Sequence, residues 1–383
     1  MKIINKLFPP KIDYLPSEIR CKDKTKSKNM IIHHYCPHTF NAGDHFVILS
    51  IRKHLKNFLP KSVLVPKAVA NNRGWGKPIG LRGENIRISN QYADAVILGG
   101  SDQYHNWSPR IKAKEIRHLI PPLFFIGLGV SSKDIDSKPY LKKEEFKKDI
   151  LAANQKCALS SVRDELTQNF LAELGYKDSI LTGCPALYLF DEKLKLRKHS
   201  KKVLLTFPYP LIHNRNNEDK SSKFMILSET MNLILKKLQE LELEPVIVCH
   251  DDRDVPIAQE MFQDYPLFFS NYVNDYFPLF DGACMVIGSR LHATILAGSM
   301  GLPFININLD QRGTGFSRTF GLQNWNLNYN DPDLSAKLIE RMIKIHQNEL
   351  SGFVDFAEIR QHSRSEFLSF INRTAEIIRG SRS

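Results

Sequence analysis

From Met30 onward, short runs of β-branched and aliphatic residues alternate with stretches whose apolar positions recur at helical spacing. Met30–His34 predicts a strand and Asp44–Phe58 a helix, followed by strands at Ser62–Val65, Ala95–Leu98 and Leu123–Leu128. A helix at Lys143–Lys156, a strand at Ala158–Ser161, a helix at Asp164–Leu174 and a strand at Ser179–Thr182 extend the series. Strands separated by helices pair in parallel rather than as hairpins, so this half predicts a Rossmann-like sheet. Asp191–Lys202 then carries six Lys/Arg, two acids and no β-branched residue, which marks a linker. The pattern restarts with strands at Val203–Phe207, Val246–Cys249, Met285–Ile287 and Phe304–Ile307 and helices at Ser228–Leu241, Pro256–Gln263 and Ala293–Met300. Two C-terminal helices are expected after it. Asp331-Pro332 reads as an N-cap with Pro at the first helical position, and Ser363-x-x-Glu366 as a capping box before Phe367, Phe370 and Ile371.

The expected organisation is therefore an α/β chain of two Rossmann-like domains facing a central cleft, closed by C-terminal helices. The divisions are a basic arm at 1–29, an N-terminal domain at 30–190, a linker at 191–202, a C-terminal domain at 203–330 and helices at 331–383. Open α/β sheets bind ligands beyond the carboxyl ends of their strands, so the cleft is where chemistry is expected.

Composition narrows the class. With 42% hydrophobic and 25% charged residues over 383 positions, the chain is an ordinary globular one, neither collagen-like nor disordered. Its longest apolar run, Leu119–Val130, is broken by Pro121 and Pro122 and is too short for a membrane span. Met1–Pro10 lacks the apolar core of a cleaved signal, and the six cysteines are scattered without a C-x-x-C pair, so a cytoplasmic protein with reduced thiols is expected. The 53 Lys and Arg against 41 Asp and Glu give a formal net charge of +12, which favours a phosphorylated, carboxylated or membrane-surface partner. No recognition module accompanies that charge, so no nucleic-acid partner is expected.

Five strand ends carry polar clusters. Asn41-Ala42-Gly43-Asp44 places a glycine and a carboxylate at a helix start, either as a plain cap or as an anion- or sugar-facing turn. Leu98-Gly99-Gly100-Ser101-Asp102 leads into Gln103, Tyr104, His105 and Trp107, either a glycine turn or a surface that stacks and hydrogen-bonds a sugar. Ser161-Val162-Arg163-Asp164 ends a strand with an arginine that can hold a carboxylate or phosphate through two N–H groups, or pair with its neighbouring aspartate. Gly288-Ser289-Arg290-Leu291-His292-Ala293 delivers an arginine and a histidine to a helix start rich in small residues, and an arginine at the end of an apolar strand needs an anionic partner. His250-Asp251-Asp252-Arg253-Asp254 reads as a polar rim, and no metal site is expected. Asp310–Arg318 reads as a flexible loop with two further cations that can fold over an anion. Motifs of P-loop NTPases, serine hydrolases, zinc proteases and dinucleotide dehydrogenases are absent.

In order, Asn41–Asp44, Ala95–Gly100, Ser161–Asp164, Thr182-Gly183-Cys184-Pro185-Ala186 and Gly288–Ala293 resemble the polysaccharide pyruvyl transferase family across roughly Met30–Leu322. The resemblance implies a fold similar to GT-B glycosyltransferases. It also implies transfer of pyruvate from phosphoenolpyruvate to two hydroxyls of one sugar, giving a ketal and phosphate without a further cofactor. It assigns Arg163, Arg290, the Leu291 backbone and His292 to phosphoenolpyruvate; ketal formation also needs an acid for the enol methylene and a base for the attacking hydroxyl, for which Asp44 and His292 are the candidates, in either order. Asn41, Gly43, Gly99, Gly100, Ser101 and Asp102 fall to the acceptor, a sugar or lipid-linked oligosaccharide, with the basic arm expected at the inner face of an anionic membrane. Two positions depart from the family pattern: Ser101 stands where a third glycine is usual, and Cys184 where an aspartate precedes the proline. A glycosyltransferase using a nucleotide sugar, or a sugar-binding relative without activity, would share the fold.

Overall fold

The structure, a computed structural model, describes residues 29–37, 41–69, 80–100, 104, 111–130, 144–193, 200–206 and 218–381, with side chains of the last stretch from Met225. Residues 1–28, Ser101, Asp102 and the middle of the expected linker lie outside the described residues.

The first unit runs β1 (Met30–Cys36), α1 (Ala42–Phe58), β2 (Ser62–Ala68), α2 (Gly83–Tyr92), β3 (Ala95–Gly99), α3 (Ala113–Ile116), β4 (Leu123–Leu128), α4 (Glu144–Lys156), β5 (Cys157–Val162), α5 (Glu165–Glu173) and β6 (Ile180–Leu181). Its six strands pair in parallel in the order β2-β1-β3-β4-β5-β6, with Met30 opposite Ser62 and Ile32 opposite Ala95. β3 and β4 are buried at every position, as Ala-Val-Ile-Leu-Gly and Leu-Phe-Phe-Ile-Gly-Leu require of strands covered on both faces.

The second unit runs β7 (Lys202–Thr206), α6 (Glu218–Glu240), β8 (Glu244–Val248), α7 (Val255–Met261), β9 (Leu267–Phe268), α8 (Tyr276–Asp281), β10 (Met285–Gly288), α9 (Leu291–Ser299), β11 (Phe304–Asn308), α10 (Gln311–Thr319) and β12 (Asn326–Asn328). Its parallel order β12-β11-β10-β7-β8-β9 reverses direction between β7 and β10, and the first sheet reverses between β1 and β3. Those reversals are where doubly wound sheets open a crevice for ligands. α11 (Leu334–His346) and α12 (Val354–Gly380) close the chain. No described helix is long and apolar enough to cross a membrane.

Three expectations about local structure change. Asp310–Arg318 is mostly helix, because the Asp310 carboxylate accepts the Arg312 N–H at 3.0 Å and caps α10. Its glycines serve close approach: a Cβ at Gly313 would overlap the Asn308 amide, and one at Gly315 would crowd the Asp164 carboxylate. Ser363 is not a cap but lies within α12, where its hydroxyl meets the Tyr188 hydroxyl at 2.6 Å. α11 starts two residues after Pro332; Asp333 takes the cap position, and the Asp331 carboxylate accepts the Asp333 N–H at 2.9 Å. The short strand β12 carried too little apolar pattern to be read. It is held through amides, with Asn306 donating to Asn326 and Asn308 donating to Asn328 at 3.2 Å.

One buried cluster runs from α1 residues Phe46, Ile51 and Leu55 through both faces of the second sheet, while a separate cluster fills the other face of the first sheet. α1 thus belongs to the first sheet by sequence and to the shared core by packing. α12 straps the two units. Its Phe367 ring stacks on Tyr188 with centroids 5.0 Å apart, and Arg360 donates to the carbonyls of Glu192, Phe190 and Ser299 at 2.7, 3.0 and 3.0 Å. Replacing the buried Arg360 with Met removes its three hydrogen bonds to those carbonyls, of which that of Phe190 keeps only the Ser299 hydroxyl at 3.4 Å, so stability is expected to fall by about 3 kcal/mol. A lowered midpoint in chemical denaturation checks this; an unchanged midpoint contradicts the strap.

Candidate active site

α1 enters the interface between the units by its N-terminus. Asn41 caps it, its side-chain oxygen accepting the Gly43 N–H at 2.9 Å, and Ala42 N–H donates to the His250 carbonyl in the second unit at 2.7 Å. The next residue makes the closest approach. A Cβ at Gly43 would overlap the His292 ring, so glycine lets the start of α1 rest directly on that histidine. Asp44 follows in the first turn, half-buried.

Facing it, β10 ends in Gly288, where a Cβ would overlap the Thr206 hydroxyl, so β7 and β10 close tightly at the reversal of strand order. The Arg290 backbone N–H then points to that hydroxyl at 3.4 Å, and α9 begins. α5 and α10 start with aspartates whose carboxylates take first-turn N–H groups, whereas α9 starts at Arg290 without a side-chain cap. The Ala293 N–H turns back to the Arg290 carbonyl at 2.8 Å, and the positive end of the α9 dipole lies at Leu291 and His292, beside the cleft.

A small, partly open cleft lies there, lined by Arg163, Asp164, Cys184, Leu291, His292, Ile295, Arg312 and Phe316. Of the residues expected at the donor, the structure brings Arg163, Leu291 and His292 to this wall. Arg163 is buried; its Nε donates to the Asp164 carboxylate at 3.0 Å and its Nη2 to the Val130 carbonyl at 3.2 Å. Its guanidinium lies against Gly129, where a Cβ would overlap it. Arg290 is placed differently. Its Nε and Nη2 are both taken by Asp254, whose side chain is fully buried, and it is absent from the cleft wall.

The expected acceptor glycines have a packing role. A Cβ at Gly99 would overlap Ile51, one at Gly100 would overlap Val47, and Gly100 adopts φ +87°, so both let the end of β3 press against α1. Cys184 is buried at the cleft wall, in the position before Pro185. Sequence reasoning placed Arg312 in a loop and passed over Phe316 and Ile295. The signal was an aspartate two residues after a strand: Asp310 caps α10 as Asp164 caps α5.

His250 is not a rim residue. Its ring is buried, edge-on to Phe46 and Tyr276 at centroid distances of 5.8 and 5.4 Å, and neither ring nitrogen has a hydrogen-bond partner. Burial, with Arg290 and His292 adding positive charge, pushes its imidazole down to about 3. Burial and then Arg52 hold His34, on β1, down at about 3 as well. Both rings are neutral in the folded protein. Asp251 is held below the usual carboxylate range by hydrogen bonds from Arg253 that outweigh its burial.

A family model described as polysaccharide pyruvyl transferase matches residues 41–311. Comparison with curated proteins found no match. Among solved structures, the UDP-GlcNAc 2-epimerase of Neisseria meningitidis bound to UDP-GlcNAc is similar with a TM-score of 0.54 at 13% identity, over 91% of this chain and 99% of that one. An S. aureus MnaA–UDP co-structure gives 0.53 at 13% identity, over 86% and 91% of the two chains. The UDP-N-acetylglucosamine 2-epimerase of Rickettsia bellii gives 0.50 at 12%, over 90% and 98%. At these identities the likeness is one of fold, the two-domain GT-B-like arrangement.

Two outcomes follow from this geometry. Gly43→Ala should destabilise the protein by about 1–3 kcal/mol through overpacking against His292, although alanine favours the helix itself by about 1 kcal/mol. Thermal denaturation decides, and a higher melting temperature would show that the approach is not tight. Second, an unfolded chain protonates His34 and His250 near pH 6.5, while the folded chain refuses those protons down to about pH 3. Stability should therefore be complete above pH 6.5 and decline as pH falls through that window, by about 1.4 kcal/mol per pH unit for each ring. His250→Phe should make the decline shallower in chemical denaturation at stepped pH, and an unchanged slope would contradict the assignment.

Proposed function

The chain belongs to the polysaccharide pyruvyl transferase family, and we propose that it moves the pyruvyl group of phosphoenolpyruvate onto two hydroxyls of one sugar. The acceptor in this reading is a sugar of a surface polysaccharide or of its lipid-linked precursor, reached from the cytoplasmic side, with the basic N-terminal arm at the anionic membrane surface. One observation carries the reading. Arg163 from the first unit meets the uncapped start of α9, with Leu291 and His292, across a single small cleft. A compact ligand bearing a carboxylate and a phosphate suits a guanidinium on one wall and the positive end of a helix on the other.

The chemistry has defined proton traffic. Protonation of the enol methylene makes C2 electrophilic and turns the methylene into the ketal methyl. One sugar hydroxyl attacks C2, phosphate leaves with its bridging oxygen, and the second hydroxyl closes the ketal. The two hydroxyls release two protons; one balances the proton now on the methyl carbon and the other leaves with phosphate or solvent. The groups proposed to handle them are His292 and Asp44, and the backbone of Gly43, directly before Asp44, lies against the His292 ring. A side chain that both receives and returns a proton fits an imidazole best. Asn41, Gly43, Gly99 and Gly100 shape the acceptor side by fixing α1 against β3 and α9.

Arg163→Ala and His292→Ala are each expected to lower phosphate release from phosphoenolpyruvate plus acceptor by at least about a hundredfold, with circular dichroism unchanged. Near wild-type release by either variant would remove that residue from the donor site. Release that proceeds with a nucleotide sugar and not with phosphoenolpyruvate would replace the reading with glycosyl transfer.

A further inference from the structure

Resting on the acceptor reading above, we infer that the acceptor carries an oxyanion beside the sugar that takes the pyruvyl group, and that Arg52 on α1 reads it. The oxyanion is the carboxylate of an acidic sugar or the phosphate of a sugar linkage. Arg163, Arg290 and Arg312 are each tied to an aspartate. Arg52 has no carboxylate partner among the described residues. Its Nε donates to His34 Nδ1 at 3.4 Å, and its Nη2 lies 4.0 Å from the Cys36 sulfur. Neither partner is an anion. Burial holds the His34 imidazole neutral and raises the Cys36 thiol above its ordinary value, so both are uncharged near neutral pH. The guanidinium keeps its full charge, and its Nη1 and the second N–H of Nη2 are left for a ligand. That outer edge presents two parallel N–H groups, the geometry in which arginine holds both oxygens of a carboxylate or phosphate.

Its placement suits an acceptor. Lys53 and Lys56 on the same helix are exposed, whereas Arg52 is half-buried and turns onto the buried His34. His34 and Cys36 point to the α1 side of β1; His33 and Tyr35, which alternate with them, meet Ser89 of α2 on the other side. Cys36 is the last residue of β1, so Arg52 reaches the carboxyl end of the first sheet, where Asp44 and Gly99 also stand. The Cys36 thiol lies in the fields of both Arg52 and Asp44. Eight residues separate the two on α1, about 12 Å of helix, and helical side chains lean toward the N-terminus, which brings the guanidinium back toward Asp44.

The approach to this edge is open. In register, Leu64, Pro66 and Ala68 of the edge strand β2 share the α1 face with Ile32, His34 and Cys36. Leu64 and Ala68 are half-buried and Pro66 is exposed, so α1 leaves the outer strand partly uncovered. A sugar chain entering over β2 passes Arg52 before its reacting unit reaches Asp44.

An array of microbial glycans tests this, probed with the full chain as wild type, Arg52→Gln and Arg52→Lys, and carrying uronic-acid, phosphorylated and neutral glycans. Wild type should bind an acidic class at least about tenfold better than the neutral glycans, and Arg52→Gln should lose about tenfold of that preference. Arg52→Lys should recover part of it, because lysine keeps the charge but not the paired N–H geometry. The ratio of acidic to neutral signal is the readout, since a loss of folded protein lowers both classes alike. A preference confined to uronic-acid glycans assigns the oxyanion to an acidic sugar, and one confined to phosphorylated glycans assigns it to the linkage. A preference that survives in Arg52→Gln, or wild-type binding to neutral glycans alone, would overturn the inference and leave the acceptor reading standing. Absence of glycan binding by the wild type would remove the acceptor reading and the inference with it. The thermal shift of the wild type with phosphoenolpyruvate, measured alongside, reports failure of the donor reading separately.

Discussion

The site depends on a contact that only a glycine permits. α1 starts in the first unit and ends its approach on the His292 ring of the second, at a distance that leaves no room for a Cβ at Gly43. Once that approach is made, the Ala42 N–H reaches the His250 carbonyl and the aromatic side of α1 seals His250 beneath Phe46. Asp44 and His292, which come from different domains and lie far apart in sequence, are then fixed relative to each other by helix packing and not by loops. Precision of that kind is what the proton transfer proposed for these two residues would require.

Charge follows the same economy. Arg163, Arg290 and Arg312 are each held on the Nε–Nη2 edge, by aspartate for Arg290 and Arg312 and by aspartate with a backbone carbonyl for Arg163. Pairing prevents an uncompensated cation from being buried in the closed interface, and it sets each guanidinium in advance. Burial then grades the three. Arg290 is tied to a carboxylate with no exposure, Arg163 is buried against Gly129, and Arg312 faces water in part. α9, which has no side-chain cap, adds the positive end of its dipole at the place where β7 and β10 part.

Most of the architecture was legible in the sequence because both sheets are parallel and buried. Continuous apolar strands such as Leu123–Leu128 and the restart of the pattern at β7 leave little choice of fold. The polar elements were not legible. β12 is Asn-Leu-Asn and pairs through its amides, and α10 carries two glycines that suggest a loop until their neighbours, Asn308 and Asp164, are seen. At the site, Arg163, Leu291 and His292 were legible as strand-end and helix-start residues. The commitment of Arg290 to Asp254 was not, since it depends on a buried carboxylate 36 positions away. The burial of His250 was hidden too, because its cover comes from α1 in the other unit.

The central claim is that the start of α9 and Arg163 together hold a small phosphorylated carboxylate. A crystal structure of the protein soaked with phosphoenolpyruvate tests it most directly. The account predicts that the ligand lies against the Leu291 and His292 backbone with the Arg163 guanidinium on one of its anionic groups. An empty cleft under phosphoenolpyruvate, with a UDP- or CMP-sugar ordered across the β7–β10 edge in a parallel soak, would contradict it.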